Sequence, residues 1–147
     1  MVVSTWTAAS ADMLHVHEFL QSGVISASCW IVDRSFQNRQ PELCGELRRL
    51  LGDDAIRIQR VHSKFVMLSD GLRYVTIQTS ANLNRNQRIE NVSVSSCPVF
   101  FDAYSMLVRK IFDTQLPGEG FEGSVTESFK KVAKSGSKKR NSVPEPW

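Results

Sequence analysis

Two stretches of helical periodicity, each closed by a glycine and each followed by an apolar run, constrain this chain more than anything else in it. Residues 9–23, ASADMLHVHEFLQSG, read as a helix ending at Gly23. Residues 41–54, PELCGELRRLLGDD, open with Pro41, repeat apolar side chains at Leu43, Leu47, Leu50 and Leu51, and meet Gly52 at the end. Short apolar runs surround them: VVSTWT (2–7) ahead, VISASCWIVD (24–33) between, and AIRI (55–58) after. VHSKFVML, RYVTIQTSA and NVSVSS then read as further strands. PVFFDAYSMLVRKIFDTQ (98–115) is an amphipathic helix with a proline start. A βαβα pattern, a strand-rich segment and a closing helix predict an α/β fold, a mixed β-sheet flanked by helices.

A chain of 147 residues, 41% hydrophobic and 22% charged, suits one soluble globular domain. No apolar run approaches the roughly 18 residues that a membrane span needs, and MVVSTWTAASADM lacks a basic leader region. The expected location is the cytoplasm, with no membrane partner. Cys29, Cys44 and Cys97 are odd in number and widely spaced, which suggests neither a disulfide framework nor a zinc site. They read as reduced thiols.

The net charge of +3 is unevenly spread. Residues 1–113 carry 12 Lys and Arg against 11 Asp and Glu, whereas residues 114–147 carry 6 against 4. The end of the chain mixes Ser, Gly, Pro and Lys with few large apolar side chains, too little to offset the entropy of ordering. The expected organisation is a domain over residues 1–115 and a flexible basic tail over 116–147, with a short helix around Glu127 to Lys134.

Titratable residues in a strand-like run locate the candidate chemistry. Side chains two apart on a strand share a face, so His62 and Lys64 point the same way. The next strand-like run offers a second such pair, Ser80 and Asn82. A two-residue Asp70-Gly71 loop would pair His62 with Thr79 and send Ser80 and Asn82 to the other face. The expected register is that of a three-residue loop, Asp70-Gly71-Leu72, or a bulge with the same effect, which pairs His62 with Ser80 and gathers all four side chains. An imidazole acts as nucleophile or acid/base near neutral pH, Lys supplies positive charge, and Ser and Asn donate hydrogen bonds. Such a group suits attack on a phosphate ester. Glu90, just ahead of NVSVSS, is the candidate carboxylate to orient the imidazole. His15 and His17, two apart in a helix, face different ways and are excluded.

His62-Ser63-Lys64, Asp70, Thr79-Ser80-Ala81-Asn82 and Glu90 resemble the HxK motif and the downstream Asp, SxN and Glu elements of the phospholipase D superfamily. The layout is similar to the single-motif branch that includes bacterial endonucleases of the Nuc type, and to short phage or prophage proteins of phospholipase D-like type. Two departures stand out: five residues rather than the usual four separate Lys64 from Asp70, and Thr79 replaces the usual Gly. The resemblance implies a phospholipase D-like fold and a phosphodiesterase in which His62 attacks phosphorus to give a phosphohistidine. It implies that Lys64 and Asn82 bind the non-bridging oxygens, Ser80 adds a hydrogen bond, Glu90 orients His62 and Asp70 supports the turn. Neither metal nor cofactor is implied. The family mechanism uses a second histidine, so a single-motif chain is expected to act as a homodimer.

Arg34 and Arg39 in DRSFQNRQ, and Arg85 and Arg88 in NLNRNQRIE, form two basic loops suited to a phosphate-rich cleft, with Phe36 as a stacking residue. No segment offers the apolar lip or basic amphipathic helix that a phospholipid surface calls for. The expected substrate is therefore nucleic acid, DNA before RNA, in a bacterial or phage-infected cell. The alternative is a non-catalytic nucleic-acid-binding or phage assembly protein on the same fold.

Overall fold

Four residues near the N-terminus, strand β1 (Val2–Thr5), pair on both sides. One side runs parallel to β2 (Cys29–Asp33), which is itself parallel to β3 (Ile56–Gln59). The other side is antiparallel to β4 (Lys64–Ser69), and β5 (Tyr74–Thr79) and β6 (Val92–Ser95) continue antiparallel. The computed structural model, which describes residues 1–84 and 89–121, is thus an α/β fold on a six-stranded mixed sheet of order β3-β2-β1-β4-β5-β6.

Helix α1 (Ser10–Gln21) links β1 to β2, while α2 (Phe36–Arg39) and α3 (Pro41–Leu51) link β2 to β3. Right-handed crossovers between parallel strands put these helices on one face. There Val3, Trp30, Val32, Ile56 and Ile58 meet Met13, Phe36, Cys44 and Leu47 in the larger core. Burial pushes the Cys44 thiol up to about 12, which leaves it an inert apolar side chain. Helix α4 (Pro98–Thr114) covers the opposite face, where Ile31, Phe65 and Met67 pack against Val108, Phe101 and Tyr104. Alternate residues of β2 serve the two cores, as a strand buried on both sides requires. No helix among the described residues is long and apolar enough to cross a membrane.

The polar C-terminal end of β1 holds two loops that cross the same end of the sheet. Ser4 Oγ donates to the Ser63 carbonyl at 2.9 Å, and Thr5 Oγ1 accepts the Leu83 amide at 3.3 Å. Both side chains are buried, so they are committed to these bonds.

Several elements are shorter than their sequence pattern suggests. The run expected as a strand over residues 24–33 pairs only from Cys29, because the ladder to β1 starts at Val2 opposite Cys29. The loop containing Arg34 and Arg39 includes the short helix α2, and its Phe36, expected as a stacking residue, is 1% exposed in the larger core. Past residue 115 the chain still packs: Gln37 Nε2 donates to the Gly120 carbonyl at 2.9 Å, and the Phe121 ring lies 4.2 Å from the Arg48 guanidinium. The helix expected around Glu127 lies outside the described residues, as does the tail from residue 122 onward.

Candidate active site

Ligands of open α/β sheets bind beyond the C-terminal ends of the parallel strands. Here Trp6 and Thr7 follow β1, Asp33 ends β2 and Ser35 lies two residues beyond it. Lys64 opens the antiparallel β4 at the same end, Ser80 follows β5, and Glu90 precedes β6. Between them is a cavity of about 650 Å³ bordered by His62, Lys64, Ser80, Asn82 and Glu90 on one side and by Trp6, Thr7, Arg39 and Gln40 on the other.

The expected cluster therefore assembles, but by a different route. Lys64 stands opposite Thr79 and Ser69 opposite Tyr74, so the hairpin loop has four residues, 70–73, and not three. Asp70 causes this: its carboxylate accepts the amides of Leu72 and Arg73 and pairs with the Arg73 guanidinium, drawing Arg73 into the turn. Those bonds, the Arg73 amide first, hold the Asp70 carboxyl down at about 2. In this register an extended pair of strands would send Ser80 and Lys64 to opposite faces. Both strands stop short of that outcome. Residues 61–63, expected as strand, are irregular, and β5 ends at Thr79, so His62, Ser80 and Asn82 reach the cavity from irregular backbone.

Lys64 is 8% exposed, yet among the described residues it makes no salt bridge to a carboxylate. Its Nζ lies 3.1 Å from His62 Nε2. An ammonium can only donate, so Nε2 accepts and the ring proton sits on Nδ1. A buried cation with one neutral partner is a strong site for an anion, since an uncompensated buried charge is costly.

The other expected roles are partly redistributed. Asn82 Oδ1 accepts the Trp6 amide at 3.3 Å, which leaves the Asn82 NH2 group to donate to a ligand. Ser80 Oγ donates to Glu90 Oε2 and accepts the Asn91 amide. Its single proton therefore goes to Glu90 and not toward the open cavity. Glu90 was expected to orient His62; its carboxylate holds Ser80, and the hydrogen bond of His62 goes to Lys64. Asp70 lies at the far end of β4, in the turn, as expected of a structural residue. Arg39 borders the cavity, whereas Arg34 is exposed and is not among its lining residues. Arg85 and Arg88 lie outside the described residues.

Two residues that sequence reasoning passed over organise this site. Asp33 Oδ1 accepts the Trp6 indole N–H at 3.0 Å and the Ser35 amide at 2.8 Å, and Oδ2 accepts the Val61 amide at 3.0 Å. One carboxylate thus ties the exits of β1 and β2 to the residue before His62. Partial burial pushes the Asp33 carboxyl up, but the Ser35, Val61 and Trp6 hydrogen bonds outweigh it and hold the group below its ordinary value. Trp6 contacts both walls, edge-on to the His62 ring at 6.0 Å between centroids and 4.2 Å beneath the Arg39 guanidinium. The signal was present: an Asp-x-Ser step and a Trp each directly follow an apolar strand of the βαβ unit, where such folds place ligand contacts.

Compared with known proteins, the chain matches no family model and none of the curated proteins.

Proposed function

We propose that this protein is a metal-independent phosphodiesterase of phospholipase D-like fold that hydrolyses nucleic-acid phosphodiester bonds through His62. The observation that carries the reading is the buried Lys64 ammonium, 3.1 Å from the His62 Nε2 and without a carboxylate partner among the described residues, on the wall of a cavity it shares with Asn82, Ser80 and Glu90.

A phosphodiester entering the cavity brings non-bridging oxygens that replace the imidazole as acceptor for Lys64. That exchange frees the Nε2 lone pair. Lys64 and the Asn82 amide neutralise the charge that grows on the oxygens, fixed donors working in a partly dry site. Nε2 then attacks phosphorus, the new N–P bond forming as the P–O bond to the leaving sugar oxygen breaks. The leaving oxygen takes a proton from a second imidazole, that of His62 in a second copy, which must enter the step protonated on the nitrogen facing that oxygen. Water attacks the phosphohistidine next, its proton returning to that second imidazole, and the N–P bond breaks to release a phosphomonoester. Ser80 and Glu90, bonded to each other, close the wall beside the phosphate.

Two features support the need for a second copy. His62 is exposed, so another molecule can reach it. Among the described residues β6 is an edge strand; it starts two residues after Glu90, carries no charged side chain, and exposes Val92 at 58% and Val94 at 67%. Bare, uncharged edge strands invite pairing with another chain.

The reading is tested by quenching a single turnover of a 32P-labelled oligonucleotide in base. An acid-labile, base-stable label on the peptide containing His62, absent from His62→Ala, is the expected result. Rapid turnover with the label on another residue would assign the nucleophile elsewhere. Retention of oligonucleotide binding with no turnover under any condition would make the protein a non-catalytic nucleic-acid binder.

A further inference from the structure

The phosphoryl chemistry uses one wall of the cavity and leaves the other unexplained. That second wall is built around Trp6. Its indole N–H is held by Asp33 Oδ1 and Ser35 Oγ, both at 3.0 Å, and its amide is held by Asn82 Oδ1. The ring has no polar atom left to satisfy and no freedom to turn. The Arg39 guanidinium lies over it at 4.2 Å, and among the described residues that guanidinium makes no ion pair or hydrogen bond. Arg39 is exposed and rests on an aromatic ring at the mouth of an anion site.

An arginine placed only to attract phosphate needs charge and reach, which a lysine provides as well. A guanidinium held over an indole whose N–H is bonded provides something else, a planar cation already placed where another planar group can lie against it. Nucleobases stack on aromatic rings and on guanidinium planes when they are unpaired, and bases inside a duplex present no free face. The cavity volume of about 650 Å³ falls in the range that holds a ligand larger than a lone phosphate group. Beside the platform, Gln40 Oε1 accepts the Thr7 hydroxyl, so the Gln40 NH2 group is left to donate to a base edge.

We infer that the Trp6–Arg39 pair is a stacking platform for the base next to the reacting phosphate, and that the substrate is a single-stranded or locally unpaired nucleic acid. This rests on the reading of the cavity as a phosphodiester site and narrows it to one substrate class.

The test measures binding, not turnover, in the His62→Ala protein, so that it stands apart from the catalytic claim. The probes are fluorescent oligo(dT), an abasic strand of the same length and charge, and a duplex of that length. Oligo(dT) is expected to bind at least about tenfold tighter than either, the size of one base–aromatic stack. Arg39→Lys, which keeps the charge and loses the plane, is expected to remove most of that preference, as is Trp6→Leu. Because Trp6→Leu also breaks the bond to Asp33, the exposed Arg39 variant is the deciding one. Equal affinity for oligo(dT) and the abasic strand, an unchanged preference in Arg39→Lys, or no binding of any probe would overturn the platform. Preference for oligo(dT) by a wild type that never hydrolyses it would retain the platform and remove the nuclease.

Discussion

At the scale of single residues, Asp33 does more for the site than any group identified from sequence. It is bonded to Trp6, to Ser35 and to the amide ahead of His62, so His62 sits where it does because a carboxylate on another strand holds its neighbour. Asp33→Asn removes one acceptor and replaces it with a donor facing the Val61 N–H. The expected outcome is a kcat reduced by about tenfold or more with KM nearly unchanged, since positioning matters most in the transition state. The pH response follows from the depressed carboxyl. A group whose folded pKa is lowered stabilises the fold above its unfolded value of about 3.9, and the contribution is lost as pH falls through the folded value. Trp6 fluorescence should therefore report loosening of the site below about pH 4, with a smaller change in Asp33→Asn. Lys64→Ala is expected to lower kcat more than it raises KM, which steady-state kinetics on an oligonucleotide would check. Asp70→Ala, remote from the cavity and confined to the turn, should leave turnover within about twofold. These residues differ in how openly the sequence shows them. His62, Lys64, Ser80, Asn82 and Glu90 were legible because their spacing forms a motif. Asp33 and Trp6 were not, since each is an isolated residue whose role comes from where β1 and β2 end.

At the scale of elements, the strongest patterns in the sequence became the structure and the ambiguous ones did not. Helix α3 follows its leucines from Pro41 to the glycine at residue 52, where φ of 79° suits a residue without a side chain. Helix α4 likewise runs within one residue of its expected end. The hairpin register was beyond reach, because it turns on whether Asp70 captures Arg73, and a side-chain hydrogen bond of that kind leaves no periodic trace. The start of β4 was hidden for a similar reason, the residues ahead of it being held by Asp33 on β2 and Ser4 on β1. Packing makes its own demand on these elements. Trp30 is fully buried, with its indole N–H donating to Ser28 Oγ at 2.9 Å. Trp30→Ala is expected to cost about 3–5 kcal/mol in chemical denaturation, a large share of the roughly 5–15 kcal/mol that holds a domain folded.

At the scale of the whole molecule, the fold gathers every expected catalytic group at one end of the sheet but provides a single imidazole there. His15 and His17 belong to α1 and do not border the cavity. If two copies share one reaction, activity should depend on how many intact partners meet. Wild type mixed with an equal amount of His62→Ala and allowed to exchange should keep roughly a quarter of the wild-type activity, because only dimers with two imidazoles work. A monomeric catalyst would keep half. Val94→Lys, placed on the exposed edge strand, should shift sedimentation toward monomer and lower activity together, and a fully active monomer would remove the dimer from the mechanism.

The proposed reaction is metal-independent breakage of phosphodiester bonds by His62, in a cavity it shares with Lys64 and Asn82. Its most direct test is hydrolysis of labelled single- and double-stranded DNA and RNA in excess EDTA, with wild type and His62→Ala compared side by side. Wild type is expected to cleave single strands whether or not the chelator is present, and the variant is expected to cleave none. Cleavage that persists in His62→Ala, or that disappears with EDTA, would contradict it.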